Sequence, residues 1–597
     1  MRKFLGLCAF GLIMAIASVA VAVQPLFVAY PPPNHKTIAD RIFLIGTAPP
    51  PGQVSVNGNK ISRTASGHFA PTFPLQIGEN LFTFRYENQE VKIKVTRESN
   101  QPESPVGLAF AKDSLTPKVD VASLPGEYIC FGAIAQVNAL VAVKLAGVTI
   151  PLKARSQVEL PANNSILLGE NSPLKKDGSQ QYQGCGKTPE NSISSQGQKV
   201  DLGVPVFELT MNDKTISQQG TGKISILSPA DLEIAEVTAD PGVARTGAST
   251  DFSRMTPLPK GTRATIIGRE GEWIRLDYGA WIKASEVRII KDSVPPRSII
   301  RSASSRQVSG WTEVLFPLEI PVPVTVQEGE RTFTLTLYNT TAQTDIIRVS
   351  DDPVISRLEW QQISPLQVQY TFNLKSAQQW GYKLRYDGTT LVLSLKHPPA
   401  NTSMMPNSQA KPLSGIKILI DPGHGGPEDG GAVSPVGIRE KTVALTVSKL
   451  VQQELVNRGA NVVMTRVEDV DLDLPPRVEM IQKEEPAIAI SIHYNALPDN
   501  GDAIKTKGVG AFWFHPQAHS LAIFLHNYLV AKLNRPSYGV FWNNLAMTRP
   551  AVTPSVLMEL GFLINPEEFE WIVNPTEQQK LAEAIAQGIT EWFASVK

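Results

Sequence analysis

Cysteine is scarce, with three in 597 residues, which excludes a disulfide scaffold and a thiolate zinc protein. Neither sign of charge dominates: 56 Lys and Arg stand against 56 Asp and Glu. That balance excludes the basic excess expected of a nucleic-acid partner. Apolar residues make up 42% and charged residues 19%, too apolar for a disordered chain. Beyond the first 23 residues no run is long and apolar enough to span a bilayer. What is plentiful is punctuation. Forty-six Pro and 43 Gly cluster between short segments, the pattern of small β domains joined by linkers. At about 100–200 residues per domain, the length implies about four units.

The amino terminus has its own signature. Arg2 and Lys3 precede an apolar run from Phe4 to Val19, and Ala20-Val21-Ala22 follows. This small-x-small ending reads as a cleavage site, so residues 1–22 are expected to be a signal peptide. An uncleaved anchor is the alternative, and the small-residue site decides for cleavage. Leu7 before Cys8 is a poor match to a lipoprotein site. The mature chain is expected to be exported, to periplasm or cell wall, with no integral membrane segment after signal cleavage. Cys130 and Cys185 then share an oxidising compartment, where they can pair.

Four β-patterned segments follow. Residues 37–98 alternate over Gln53–Val56, Leu81–Phe84 and Val91–Val95, with Asn57-Gly58 placed as a hairpin turn. After a polar linker, residues 119–230 are again β-rich, with no functional reading. Residues 231–291 carry tight turns and two tryptophans, Trp273 and Trp281, which suit the core of a small barrel. Residues 310–397 alternate over several strands, with a hairpin turn expected at Asp387-Gly388. Residues 398–413 form a Pro/Asn/Ser linker.

From residue 414 the pattern becomes strand–helix alternation. The expected architecture is several all-β modules followed by a C-terminal α/β domain, a mixed sheet flanked by helices. Titratable residues stand where its strands end, the edge at which open α/β sheets bind ligands. His424 follows the strand Ile416–Ile420, and His493 follows Ile488–Ile492. Glu440 begins the first long helix, and Glu559 ends the strand Val556–Met558. Each alone reads equally as a structural residue. Together, two His and one Glu can give zinc three ligands and leave a fourth position open. Glu559 then offers a second carboxylate to move protons. His515, His519 and His526 have no acidic or Cys partner nearby in sequence and read as packing or surface residues. Asn495 and Arg549 are candidates to orient ligand or substrate groups, and each reads equally as a structural residue.

Four motifs stand in order: Asp421-Pro422-Gly423-His424-Gly425-Gly426, Arg439-Glu440-Lys441, Ser491-Ile492-His493-Tyr494-Asn495-Ala496 and Met558-Glu559-Leu560-Gly561-Phe562. They resemble the zinc-dependent N-acetylmuramoyl-L-alanine amidases of the amidase-3 type, over residues 414–597. The resemblance implies Zn2+ held by His424, Glu440 and His493, with Glu559 as the catalytic carboxylate. It implies peptidoglycan as partner and substrate, cut between N-acetylmuramic acid and L-alanine. The β segments resemble, in order, an immunoglobulin-like module (37–98), a bacterial SH3-like barrel (231–291) and the AMIN β-sandwich (310–397). Their expected role is to target the cell wall. On that view, deleting residues 23–400 reduces binding to sacculi and spares cleavage of soluble muropeptides.

Two departures from the family matter. Gly510 follows Gly508-Val509 where many members have Glu. Only His515-Pro516 separates the strand ending at Phe514 from the next helix, too short for the inhibitory helix of activator-controlled members. The catalytic domain is therefore expected to be free of its own block, with any protein activator unassigned. Two alternatives stay open: an inactive wall-binding or regulatory protein, separated by metal content, and a zinc hydrolase of another peptidoglycan bond, separated by product mass.

Overall fold

A computed structural model describes the chain from residue 25 to 596, apart from residues 100–104, 106, 156–157, 169–171, 176–179, 190–198, 231, 292–293, 350 and 401–410. The expected signal peptide (1–22) and most of the linker 398–413 lie outside the described residues. No described helix is long and apolar enough to cross a membrane.

The catalytic-type domain is built on a six-stranded mixed sheet. Its elements are β1 (Lys417–Pro422), α1 (Glu440–Asn457), β2 (Asn461–Met464), α2 (Leu474–Glu484), β3 (Ile488–Asn495), β4 (Val509–Trp513), α3 (Pro516–Leu533), β5 (Ser537–Trp542), β6 (Ser555–Phe562), α4 (Pro566–Ile572) and α5 (Pro575–Ser595). The strand order is β2-β1-β3-β6-β4-β5. Strands β1, β2, β3 and β6 run parallel, whereas β4 runs antiparallel to β6. Alternation along the strands sorts side chains to two faces. Ile418, Ile420, Ile488 and Ile490 pack with Val443, Val447, Val451 and Leu455 of α1 and with α3 and α5. Leu419 and Ala489 face the other way, onto Ile481 of α2 and Trp311 of the preceding β region. Helix α1 ends where Gly459 takes a left-handed conformation, φ +94°. α4 and α5 are each capped by an Asn side chain, Asn565 and Asn574.

The preceding region is all-β. The first module packs a five-stranded sheet against shorter strands around Val54, Phe69, Phe84 and Val95. Asn57 and Gly58 form its two-residue turn, both with positive φ, as a type I′ hairpin requires. Cys130 and Cys185 face each other across paired strands and are disulfide-bonded, Cα–Cα 4.0 Å. The strand Val121–Ser123 lies between Ile224–Ile226 and Arg263–Glu270. Segments 119–230 and 231–291 therefore share a sheet across residue 230. Trp273 is buried, and Trp281 lies under the Arg275 guanidinium. The sandwich that follows begins at Ser298, ahead of residue 310, because Ser298–Val308 pairs with Trp311–Pro317. Its last hairpin turns at Gly388-Thr389, not Asp387-Gly388, since Asp387 pairs with Thr390. A glycine at the first loop position, φ +59°, is what a II′ turn uses.

Candidate active site

The site assembles at the carboxyl ends of β1, β3 and β6. His424 follows β1 with a left-handed φ of +56°, costly for a residue with a Cβ. A buried clamp holds it there. Asp421, 1% exposed, accepts hydrogen bonds from Thr465 (2.5 Å), Ser491 (2.5 Å) and Arg477 (2.8 Å). Arg477 also donates to the carbonyls of Pro422 and His424, both at 2.7 Å. Arg466 donates to those of Pro422 (3.1 Å) and Gly423 (2.8 Å). The turn is thus pinned from behind by two guanidiniums. Gly423 is required by close approach: a Cβ there would lie 2.4 Å from the His493 ring.

Glu440 is the first residue of α1, where the helix dipole favours a carboxylate, and it is buried. Its Oε1 meets His493 Nδ1 at 3.0 Å and accepts from the Tyr494 N–H at 3.0 Å. Its Oε2 lies 3.2 Å from His424 Nε2 and accepts from the Ala432 N–H at 2.9 Å. The ligand-type atoms of His424, Glu440 and His493 all lie within 4.8 Å of one another. That donor set, two imidazoles and one carboxylate, suits zinc.

The electrostatics of the cluster are one-sided. Burial raises Glu440, but its bonds to His424 and His493 outweigh this and hold it below the usual carboxylate range. Burial lowers His424, yet the bond to Glu440 and its charge, with Asp429 adding, raise it to about 9. Asp429 meets His424 Nδ1 at 2.6 Å, which leaves Nε2 toward Glu440. Glu559 sits beside His493 in the β3–β6 register. Burial first, and then the Glu440 charge, push its carboxyl well above the usual range. Its Oε2 is buried with no hydrogen-bond partner among the described residues.

Of the other candidates, Asn495 stands on β3 two residues past His493, and its Oδ1 accepts from the Ala496 N–H at 2.9 Å. Arg549 is not brought to this cluster. It precedes β6, on the amino-terminal side of the strand, where its carbonyl meets His515 Nε2 at 2.9 Å and its Nε donates to Asn544 at 2.7 Å. Burial, then Arg254 and Arg245 of the segment 231–291, push its guanidinium down to about 10. The three remaining histidines pack: His515 against Glu328, His519 against Trp513, and His526 against Ser537. Beside Gly510, the Tyr538 ring takes the space a side chain would fill, 3.2 Å from a Cβ built there, and that Cβ would lie 3.5 Å from Glu559 Cβ. Only Phe514 and His515 lie between β4 and α3.

Sequence reasoning missed Asp429 and the Arg466–Arg477 clamp. Arg466 follows β2 just as His424 follows β1, so its position at the ligand edge was readable.

A profile described as N-acetylmuramoyl-L-alanine amidase matches residues 418–591. The germination-specific N-acetylmuramoyl-L-alanine amidase of Bacillus subtilis is 36% identical over 199 residues, 30% of this chain and 81% of that protein. The chain belongs to the N-acetylmuramoyl-L-alanine amidase family. A probable cell wall amidase, LytH of Staphylococcus epidermidis, is 33% identical to this amidase over 33% of the chain and 64% of the relative. Among solved structures, an N-acetylmuramoyl-L-alanine amidase from Clostridium difficile 630 aligns at 29% identity, covering 32% of this amidase and 100% of that chain, with a TM-score of 0.29.

Proposed function

We propose that this amidase hydrolyses the bond between N-acetylmuramic acid and L-alanine in peptidoglycan, with zinc held by His424, Glu440 and His493. The observation that carries the reading is the convergence of those three ligand-type atoms within 4.8 Å, beside the buried Glu559 carboxyl. Bound zinc supplies Lewis acidity toward the scissile carbonyl and toward water. Asp429 fixes the His424 tautomer so that Nε2 faces the ligand side, a supporting role that such carboxylates commonly fill. Glu559 takes a proton from the attacking water and returns it to the departing L-alanine nitrogen. Asn495 orients substrate from the strand that carries His493.

The Cys130–Cys185 bond supports an oxidising, exported location, and the β region is read as holding the enzyme at the wall through several weak contacts. Metal analysis tests the centre. Protein purified with zinc should hold one ion per chain and His493→Ala almost none; a wild type that retains no zinc contradicts the reading.

A further inference from the structure

The first β module does not stand apart from the amidase domain. Its run Ile42-Phe43-Leu44-Ile45 is apolar on both faces, whereas a small β module is expected to leave one face to water. Ile42 and Leu44 point into the module's own core. Phe43 and Ile45, 2% and 0% exposed, point the other way and form a second core with Ala503, Phe562 and Ile564 of the amidase domain. Ala432 and Leu497 pack onto the same cluster.

Polar contacts frame this core. Asp499 accepts a hydrogen bond from the Tyr30 hydroxyl and meets His35 Nε2 at 2.9 Å. The Tyr30 ring stacks on Phe43, and His68 meets the edge of Phe569. The Phe27 ring lies 3.5 Å from a Cβ built on Gly437.

Besides Tyr538 of β5 and Phe569 of α4, three amidase segments touched here are continuous with a residue of the site. Residues 497–503 follow His493 on β3. Phe562 and Ile564 follow Glu559 on β6. The segment 432–437 leads into Glu440, and Ala432 is the residue whose N–H donates to Glu440 Oε2. The docked module leaves the centre open, with the His424 and His493 side chains 25% and 16% exposed.

We propose that the first β module is a working part of the amidase centre: Phe43, Ile45 and the Tyr30–His35–Asp499 contact are positioning residues for Glu440 and His493. This rests on the amidase reading, and it departs from the expectation that deletion of all the β modules spares cleavage of soluble muropeptides. A misplaced ligand or supporting group costs about 10–100-fold in metal affinity or activity, so an interface that fixes two ligand-bearing segments is felt at the centre.

The test uses the full chain carrying Ile45→Lys, with Asp499→Ala as a second variant on the other side of the contact in case the first misfolds. Three quantities are read: kcat and KM on a soluble muropeptide, and the rate at which a chromogenic chelator removes zinc. The expected result is a kcat lower by about tenfold with KM unchanged and zinc lost about tenfold faster, both restored in Ile45→Val. Unchanged kcat and zinc loss in both variants overturn the proposal. A raised kcat also overturns it, because the module would then be a cover over the cleft. If the wild type cleaves nothing, the amidase reading fails, and the chelator rates still decide this proposal.

Discussion

The amidase domain is gripped at two opposite edges of one sheet; both grips bury apolar side chains, but the polar contacts that frame them differ. The sandwich holds the amino-terminal edge. Lys396 donates to the carbonyls of Glu485 and Pro486 before β3 and of Val552 before β6, at 3.0, 2.6 and 3.2 Å. Trp311 Nε1 donates to Glu485 at 3.0 Å, and the Lys383 ammonium lies 4.1 Å from the Trp311 ring centre. The first β module holds the carboxyl-terminal edge, with an apolar core and one charged contact. Ligands bind open α/β sheets at the carboxyl edge, so the first grip serves stability and the second serves the centre as well. Position on the sheet, rather than extent of contact, decides which accessory domain bears on chemistry.

The comparison can be sharpened from the centre outward. Glu559→Gln should lose about 10²–10⁴ of the turnover while keeping its zinc, measured by muropeptide assay beside metal analysis; a variant that cleaves normally removes Glu559 from the mechanism. Asp421→Ala leaves the buried Arg477 guanidinium uncompensated. It should cost about 3–5 kcal/mol of stability, read in denaturant titrations, and a small shift would show that the clamp is redundant.

Lys396→Met should lower the melting temperature by leaving buried carbonyls unpaired, at about 1–3 kcal/mol. It should leave kcat and KM on soluble substrate unchanged, in contrast to Ile45→Lys. If it lowers kcat equally, the two edges are not distinct.

The smallest effect concerns acid. Burial lowers the pKa of His68 below 6.5, against the pull of Glu570, so the unfolded chain binds the extra proton first. Its contribution to stability is present above pH 6.5 and is lost as pH falls through the lowered folded value. Between pH 7.5 and 5.5, His68→Gln should lose less melting temperature than the wild type; equal losses would assign acid sensitivity elsewhere.

The amidase domain was legible in the sequence because its candidate site residues lie in contiguous motifs at element ends: His424, Glu440, His493 and Glu559 each sit beside a recognisable apolar strand or helix start. Arg549 stands in a different place from these four. It precedes β6 rather than follows it, and residues before a parallel strand belong to the edge opposite the ligands. Asp429 reaches His424 through a glycine-rich turn whose path no periodicity encodes. The β region was legible as strands but not as an assembly. Val121–Ser123 pairs with strands about a hundred residues and more away, and such non-local pairing leaves no local signature. The docking of the first module did leave one, the two-faced run from Ile42 to Ile45, which a single buried face cannot explain.

The most direct measurement is mass spectrometry of the products released from purified peptidoglycan by the full chain, beside Glu559→Ala and a chelated sample. Free stem peptides beginning at L-alanine, absent from both controls, are the predicted result. Fragments cut at another bond, or the same products from the chelated sample and from Glu559→Ala, would contradict a zinc amidase centred on His424, Glu440, His493 and Glu559.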